Sequence, residues 1–180
     1  AAKVFKLSVR VVRFADAVYE PDIEGLLDDY GVTFGIVDNE PSRSGIAKLC
    51  ENTVLEMADQ KGRKSANFER KEVKDGGVLY PCWFFNSDFY KQSVIDCATG
   101  IGDLAAWDGK PAYRFPKEWD KFLTVNSEAS PLRHLCAVRF DPIQQKWMRP
   151  SNSIDDLFYA AHFAEVAFAI ALDQGAGDGD

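Results

Sequence analysis

"IAKLCENTVLEMA", residues 46–58, decides how much of this 180-residue chain is helix and how much is sheet. Ile46, Leu49, Cys50, Val54 and Met57 recur at spacings of three and four, the repeat that gives a helix one apolar stripe. In the preceding turn, "DNEPSRSG", Ser42 or Ser44 is placed to cap the helix, because a side-chain oxygen can take up one of its first amide hydrogens. The spacing predicts one helix of about four turns that ends near Gly62.

Upstream, Phe5, Leu7, Val9 and Val11 alternate with Lys6, Ser8 and Arg10, a strand with one apolar face that shifts phase near Arg13. "EPDIEGLLDDYG" reads as a connection, and a second strand follows from Val32 to Val37. Downstream, "VLYPCWFFNS" is rich in aromatic and β-branched residues. Its Pro81 has no amide hydrogen, which predicts an edge or interrupted strand. "QSVID" is its expected hairpin partner. Residues 98–132 are irregular, with turns at "ATGIGD", "WDGKP" and "NSEASP". "HLCAVRF" resumes strand alternation and "DPIQQKWMRPSNS" reads as a loop. In "SIDDLFYAAHFAEVAFAIAL", Ser153 and Asp156 resemble a capping box. Val166, Phe168, Ile170 and Leu172 then alternate with alanines, so a short helix followed by a final strand is expected.

Together these segments predict an α+β, mainly β chain: a curled antiparallel sheet, one long helix packed on it and a second short helix near the C-terminus. One globular domain is expected over 1–172, with a flexible acidic tail over 173–180. Hydrophobic residues make up 46% and charged residues 27%, which suggests neither disorder nor a membrane span. The longest apolar runs, "CWFF" and "VAFAIAL", fall far short of the roughly 20 residues a span needs. With no signal-peptide pattern at the N-terminus, a cytoplasmic protein is expected.

Cys50, Cys82, Cys97 and Cys136 form no C-x-x-C pair, and the two histidines are His134 and His162. That spacing argues against zinc and for reduced, packed thiols. No nucleophile elbow, Walker sequence or complete G-x-G-x-x-G is present, so no cofactor, metal or catalytic residue is assigned. One enzyme pattern remains as an alternative: Pro21-Asp22 with Glu72-Val73-Lys74 could serve as the acidic pair and lysine of a Mg²⁺-dependent nuclease. The competing explanation is a solvated run of charge.

The formal charge is −7, yet Lys61, Arg63, Lys64, Arg70, Lys71 and Lys74 fall within fourteen positions against Glu69 and Glu72, a local charge of +4. Such a segment can neutralise phosphates on an acidic protein, because screening confines charge effects to about 8–10 Å. Trp83 and Phe85 in the following strand, and Lys146, Trp147 and Arg149 in "KWMRP", add rings on which unpaired bases stack. The expected ligand is single-stranded nucleic acid, bound without catalysis. The rival reading is a protein–protein module, such as a virion assembly factor, an inhibitor or an immunity-type protein, with aromatic anchors and a basic partner.

The order of elements, from "YGVTFGIVDNEPSRSG" through "IAKLCENTVLEMA", the basic loop, the aromatic strand and "SVID" to "AVRFDPIQQKWMRP" and "VAFAIAL", resembles the replication single-stranded-DNA-binding proteins of tailed phages. The resemblance implies an OB-like five-stranded barrel with one helix packed against it. It also implies a basic groove, stacking aromatics and an acidic tail that competes for the groove and recruits replication proteins. Carried over by position, the contacts are Lys61, Arg63, Lys64, Arg70, Lys71, Trp83 and Phe85. The tail departs from that family, with only Asp173, Asp178 and Asp180, and residues 98–132 have no counterpart in it.

Overall fold

The computed structural model describes residues 23–40, 43–60, 68–99, 134–150 and 156–177. The expected strand at Phe5–Val11 and most of the irregular 98–132 segment lie outside them. The described elements, in order, are α1 (Ile23–Asp29), β1 (Gly35–Asp38), α2 (Arg43–Asn52), β2 (Leu55–Asp59), β3 (Phe68–Asp75), β4 (Val78–Phe85), α3 (Ser87–Thr99), β5 (Arg139–Asp141), β6 (Lys146–Met148) and α4 (Asp156–Gly177). Helix and strand are therefore mixed. The contacts gather into two compact units, 1–87 with 163–180, and 88–162.

In the first unit the strands run in the order β1-β2-β4-β3. β1 pairs with β2 and β2 with β4 in parallel, whereas β3 and β4 form an antiparallel hairpin. The sheet is open, and no barrel closes among the described residues.

The stretch at 46–58 turns out to be a helix followed by a strand. α2 stops at Asn52 because the next side chains take over its last carbonyls: Asn52 Nδ2 donates to Lys48 O at 2.9 Å and Thr53 Oγ1 to Leu49 O at 2.8 Å. Leu55 N then donates to Thr53 Oγ1 at 3.2 Å, and the chain leaves as β2. Ile46 and Cys50 belong to the helical stripe, but Met57 reaches the same core from a strand. β1 lies so close to β2 that a Cβ at Gly35 would sit 2.7 Å from Leu55 Cδ2, so a side chain here would push the end of Leu55 aside.

β3 turns into β4 through Gly76 and Gly77, both with positive φ (56° and 91°), the backbone that a two-residue hairpin loop requires. Cross-strand partners share a face. Lys71, Val73, Cys82, Tyr80 and Phe84 face one way with Met57, and Phe68, Arg70, Trp83 and Phe85 face the other way with Glu56. The first face packs on α2, with Ala47, Met57 and Cys82 at its centre and Ile46, Cys50, Val73, Tyr80 and Phe84 around them. Each fully buried Met or Phe here contributes about 1.5–3 kcal/mol. On the second face Phe85 meets Phe163 of α4 edge-on, with ring centroids 5.4 Å apart.

Pro81 does not mark an edge strand. β4 is internal, but β2 joins it only at Trp83 and Phe84, so Pro81 stands where β3 alone flanks it. Among the described residues the edges of the sheet are β1 and β3.

Four further expectations are corrected. "QSVID" is part of α3, where Tyr90, Val94 and Cys97 are buried at helical spacing. The final strand over 166–172 is helix: Phe163, Val166 and Ile170 are buried three and four residues apart, and the intervening alanines are strong helix formers. α4 continues through Gly177, so Asp173 to Gly177 are helical where the tail was expected. Finally, "DPIQQKWMRP" forms the turn and second strand of a β5–β6 hairpin. In the second unit this hairpin lies on a core of Val94, Val138, Phe158 and Ala161, with Ile95, Leu135, Trp147 and Tyr159 around it.

Candidate functional site

The expected nucleic-acid residues divide into three groups. Lys61, Arg63 and Lys64 lie outside the described residues. Arg70, Lys71 and Lys74 sit on β3, exposed but largely compensated. Arg70 grips Glu56, Nε to Oε2 at 3.1 Å and Nη2 to Oε1 at 3.4 Å, and its guanidinium lies 6.0 Å from the Trp83 ring centroid. Lys71 Nζ is 2.8 Å from Glu69 Oε2. The cations of β3 are matched by Glu69, Glu72 and Asp75 on the same strand, so β3 by itself carries no net charge.

Trp83 and Phe85, expected as stacking rings, are buried instead. β4 has neighbours on both sides, so its rings are enclosed. Trp83 meets Phe68 edge-on at 5.9 Å and donates its indole N–H to Glu56 Oε2 at 2.5 Å. Neither ring offers a face to a base. For the nuclease pattern, Glu72 and Lys74 share one face of an exposed edge strand, and Asp22 lies outside the described residues.

A polar cluster that the sequence reading missed stands at the carboxyl ends of β1 and β2, the end where open α/β sheets take their ligands. Asn39 N donates to Ala58 O at 3.0 Å, and its Nδ2 donates to Asp59 Oδ2 at 3.3 Å. Glu40 N donates to Asp38 Oδ1 at 3.2 Å. Burial pushes the Asp38 carboxyl above its ordinary value, and the charges of Glu40 and Asp59 push the same way. Among the described residues no three His, Cys, Asp or Glu side chains are grouped to hold a metal ion. The signal for the cluster was "VDN" and "MAD", each a strand ending in a carboxylate, but it depends on knowing that the two strands are parallel neighbours.

The third group, Lys146, Trp147 and Arg149, is brought together with Arg139 and Phe140 on the β5–β6 hairpin. Cross-strand register sets Phe140 opposite Trp147 on one face, with Arg139 opposite Met148 and Asp141 opposite Lys146 on the other. The Phe140 ring lies edge-on to Trp147 at 5.5 Å and 65°, and Phe140 is 46% exposed. Trp147 is half-buried against the second unit's core. Arg139, Lys146 and Arg149 are exposed, so the hairpin carries three cations against Asp141. Here a solvent-accessible ring and an excess of exposed cations over carboxylates occur on one hairpin.

No protein-family model matches the chain, and no curated protein or solved structure matches it at a significant level.

Proposed function

We propose that the protein binds single-stranded nucleic acid, without catalysis, through the β5–β6 hairpin. One observation supports this reading above the others: Phe140 is half exposed on a hairpin that also carries Arg139, Lys146 and Arg149. The ring accepts a base by stacking, at about 1–3 kcal/mol, and the cations neutralise phosphates. The net −7 of the chain does not prevent this, because distant carboxylates are screened at physiological salt. The proposal rests on the hairpin and does not require an OB barrel. None of the four cysteines is in a disulfide, which fits the cytoplasmic setting that belongs to the same proposal.

The test is fluorescence anisotropy with a labelled oligo-dT. Three neutralised phosphates give a slope of log affinity against log salt of about −2. Phe140→Ala should weaken binding about 5- to 150-fold, the equivalent of one lost stacked base. Binding that is flat in salt and indifferent to Phe140→Ala would overturn the proposal. A protein–protein module is the second reading, favoured by Val78 and Leu79, 51% and 56% exposed at the end of the β3–β4 hairpin. It predicts no oligonucleotide shift and a partner whose capture is lost in Leu79→Ser.

A further inference from the structure

The β5–β6 hairpin carries its two binding chemistries on opposite faces, the ring with Trp147 and the cations Arg139 and Lys146 on the reverse. A nucleotide that uses both can pass over the tip, residues 142–145. That tip is tightly held. Asp141 Oδ1 accepts Ile143 N at 2.8 Å and Gln144 N at 3.1 Å, Gln145 Nε2 donates to Pro142 O at 3.5 Å, and Gln145 adopts a left-handed backbone (φ 55°). On this clamped turn Ile143 is 93% exposed.

A single exposed aliphatic residue needs no explanation by itself. Ile143 differs in its placement: it projects from a pre-ordered turn, at the point where a cationic face and a stacking face meet. We propose that Ile143 is a wedge that enters between adjacent bases where a single strand joins a duplex. Arg139 and Lys146 hold the phosphates, and the first unpaired base turns over the tip onto Phe140. Apolar side chains inserted at base steps unstack them in this way, and a turn fixed beforehand loses little entropy on insertion. The inference rests on the proposed function above and narrows its ligand from any single strand to a junction. An anionic lipid surface is less well matched, because one isoleucine buries little apolar area.

The experiment compares oligo-dT with a forked oligonucleotide carrying 2-aminopurine at the last paired position. The full chain and its Ile143→Ser variant are both tested. The wild type should bind the fork more tightly than oligo-dT and raise the 2-aminopurine emission as the base unstacks. In Ile143→Ser the emission rise should be lost and the two affinities should converge. If the wild type binds oligo-dT but leaves the emission unchanged, or if the variant raises it equally, the wedge is wrong and the single-strand reading survives. If neither oligonucleotide binds and the protein sediments with vesicles of phosphatidylserine and phosphatidylcholine in an Ile143-dependent way, both readings fall.

Discussion

Glu56 holds three strands of the first unit together, and its removal should be costly out of proportion to its exposure. From β2 it accepts the buried Trp83 indole N–H of β4 at 2.5 Å and pairs with Arg70 of β3 at 3.1 Å. The two contacts differ in weight. A hydrogen bond from a buried donor to a charged acceptor is worth about 1.5–3 kcal/mol, and in Glu56→Ala the indole is left without its partner. The Arg70 pair is half open to water, with side-chain exposures of 50% and 32%, and is worth at most about 1 kcal/mol. Glu56→Ala should therefore cost about 2–3 kcal/mol. Glu56→Gln keeps a carbonyl for the indole and should cost about 1 kcal/mol. Arg70→Ala, which loses the exposed pair and a distant cation–π contact, should cost about 0.5–1 kcal/mol. The assay is equilibrium unfolding in urea followed by tryptophan emission. With a slope of about 2 kcal/mol/M, Glu56→Ala lowers the midpoint by about 1–1.5 M and Arg70→Ala by less than about 0.5 M, at unchanged slope. Equal midpoints for the two variants would refute the reasoning, because Glu56 would then act only as half of a surface ion pair.

Two more outcomes follow from titrating groups. Burial, then the Glu56 carboxylate for Cys50 and the Asp59 carboxylate for Cys82, pushes both thiols up to about 11, so at pH 8 only about one in a thousand of either is thiolate. Iodoacetamide should therefore modify the exposed Cys136 first, and Cys136→Ala should remove the fast phase; rapid labelling of Cys82 in the folded protein would contradict the burial argument. The Asp38 carboxyl is raised above its ordinary 3.8, chiefly by burial, so the folded state holds its proton to higher pH than the unfolded state does. Stability from this group falls as pH rises through that window, so Asp38→Asn should raise the urea midpoint at pH 7, and the gain should vanish below the ordinary carboxylate range. A midpoint lowered at pH 7 would show that the ionised form is stabilising.

Where the sequence misled, two periods coincided. Ile46, Cys50 and Met57 fit a helical stripe, but Leu55 and Met57 also alternate, and only the carbonyl-capping side chains of Asn52 and Thr53 mark the boundary. In 166–172 a spacing of four is also twice two, so Val166 and Ile170 fit either element; the alanines between them were the better signal. The β3–β4 hairpin was missed, because the charges of 68–75 read as a basic loop, although the consecutive Gly76 and Gly77 carry a hairpin-turn signature. The β5–β6 turn carried an equally physical signature, Asp141 followed by Pro142, the first two positions of a common turn. The flanking "RF" and "KWM" were short enough to pass for loop.

The site was harder to read than the fold because charge and aromatic counts carry no register. The basic window at 61–74 looks like +4, yet Arg70 is answered by Glu56, fourteen residues away, across a strand pairing that no local count reveals. Aromatic residues pose the same problem in sharper form. Trp83 and Phe85 lie on a strand with neighbours on both sides and with packing on both faces, so their rings are enclosed. Phe140 lies instead on a hairpin that is two-stranded among the described residues, and nearly half of it stays accessible. Whether a ring can meet a ligand is thus fixed by its strand's place in the sheet order, a property of pairing partners far along the chain. For that reason the proposed stacking role falls to the hairpin, where Phe140 stays half exposed, and not to the aromatic-rich strand where composition pointed.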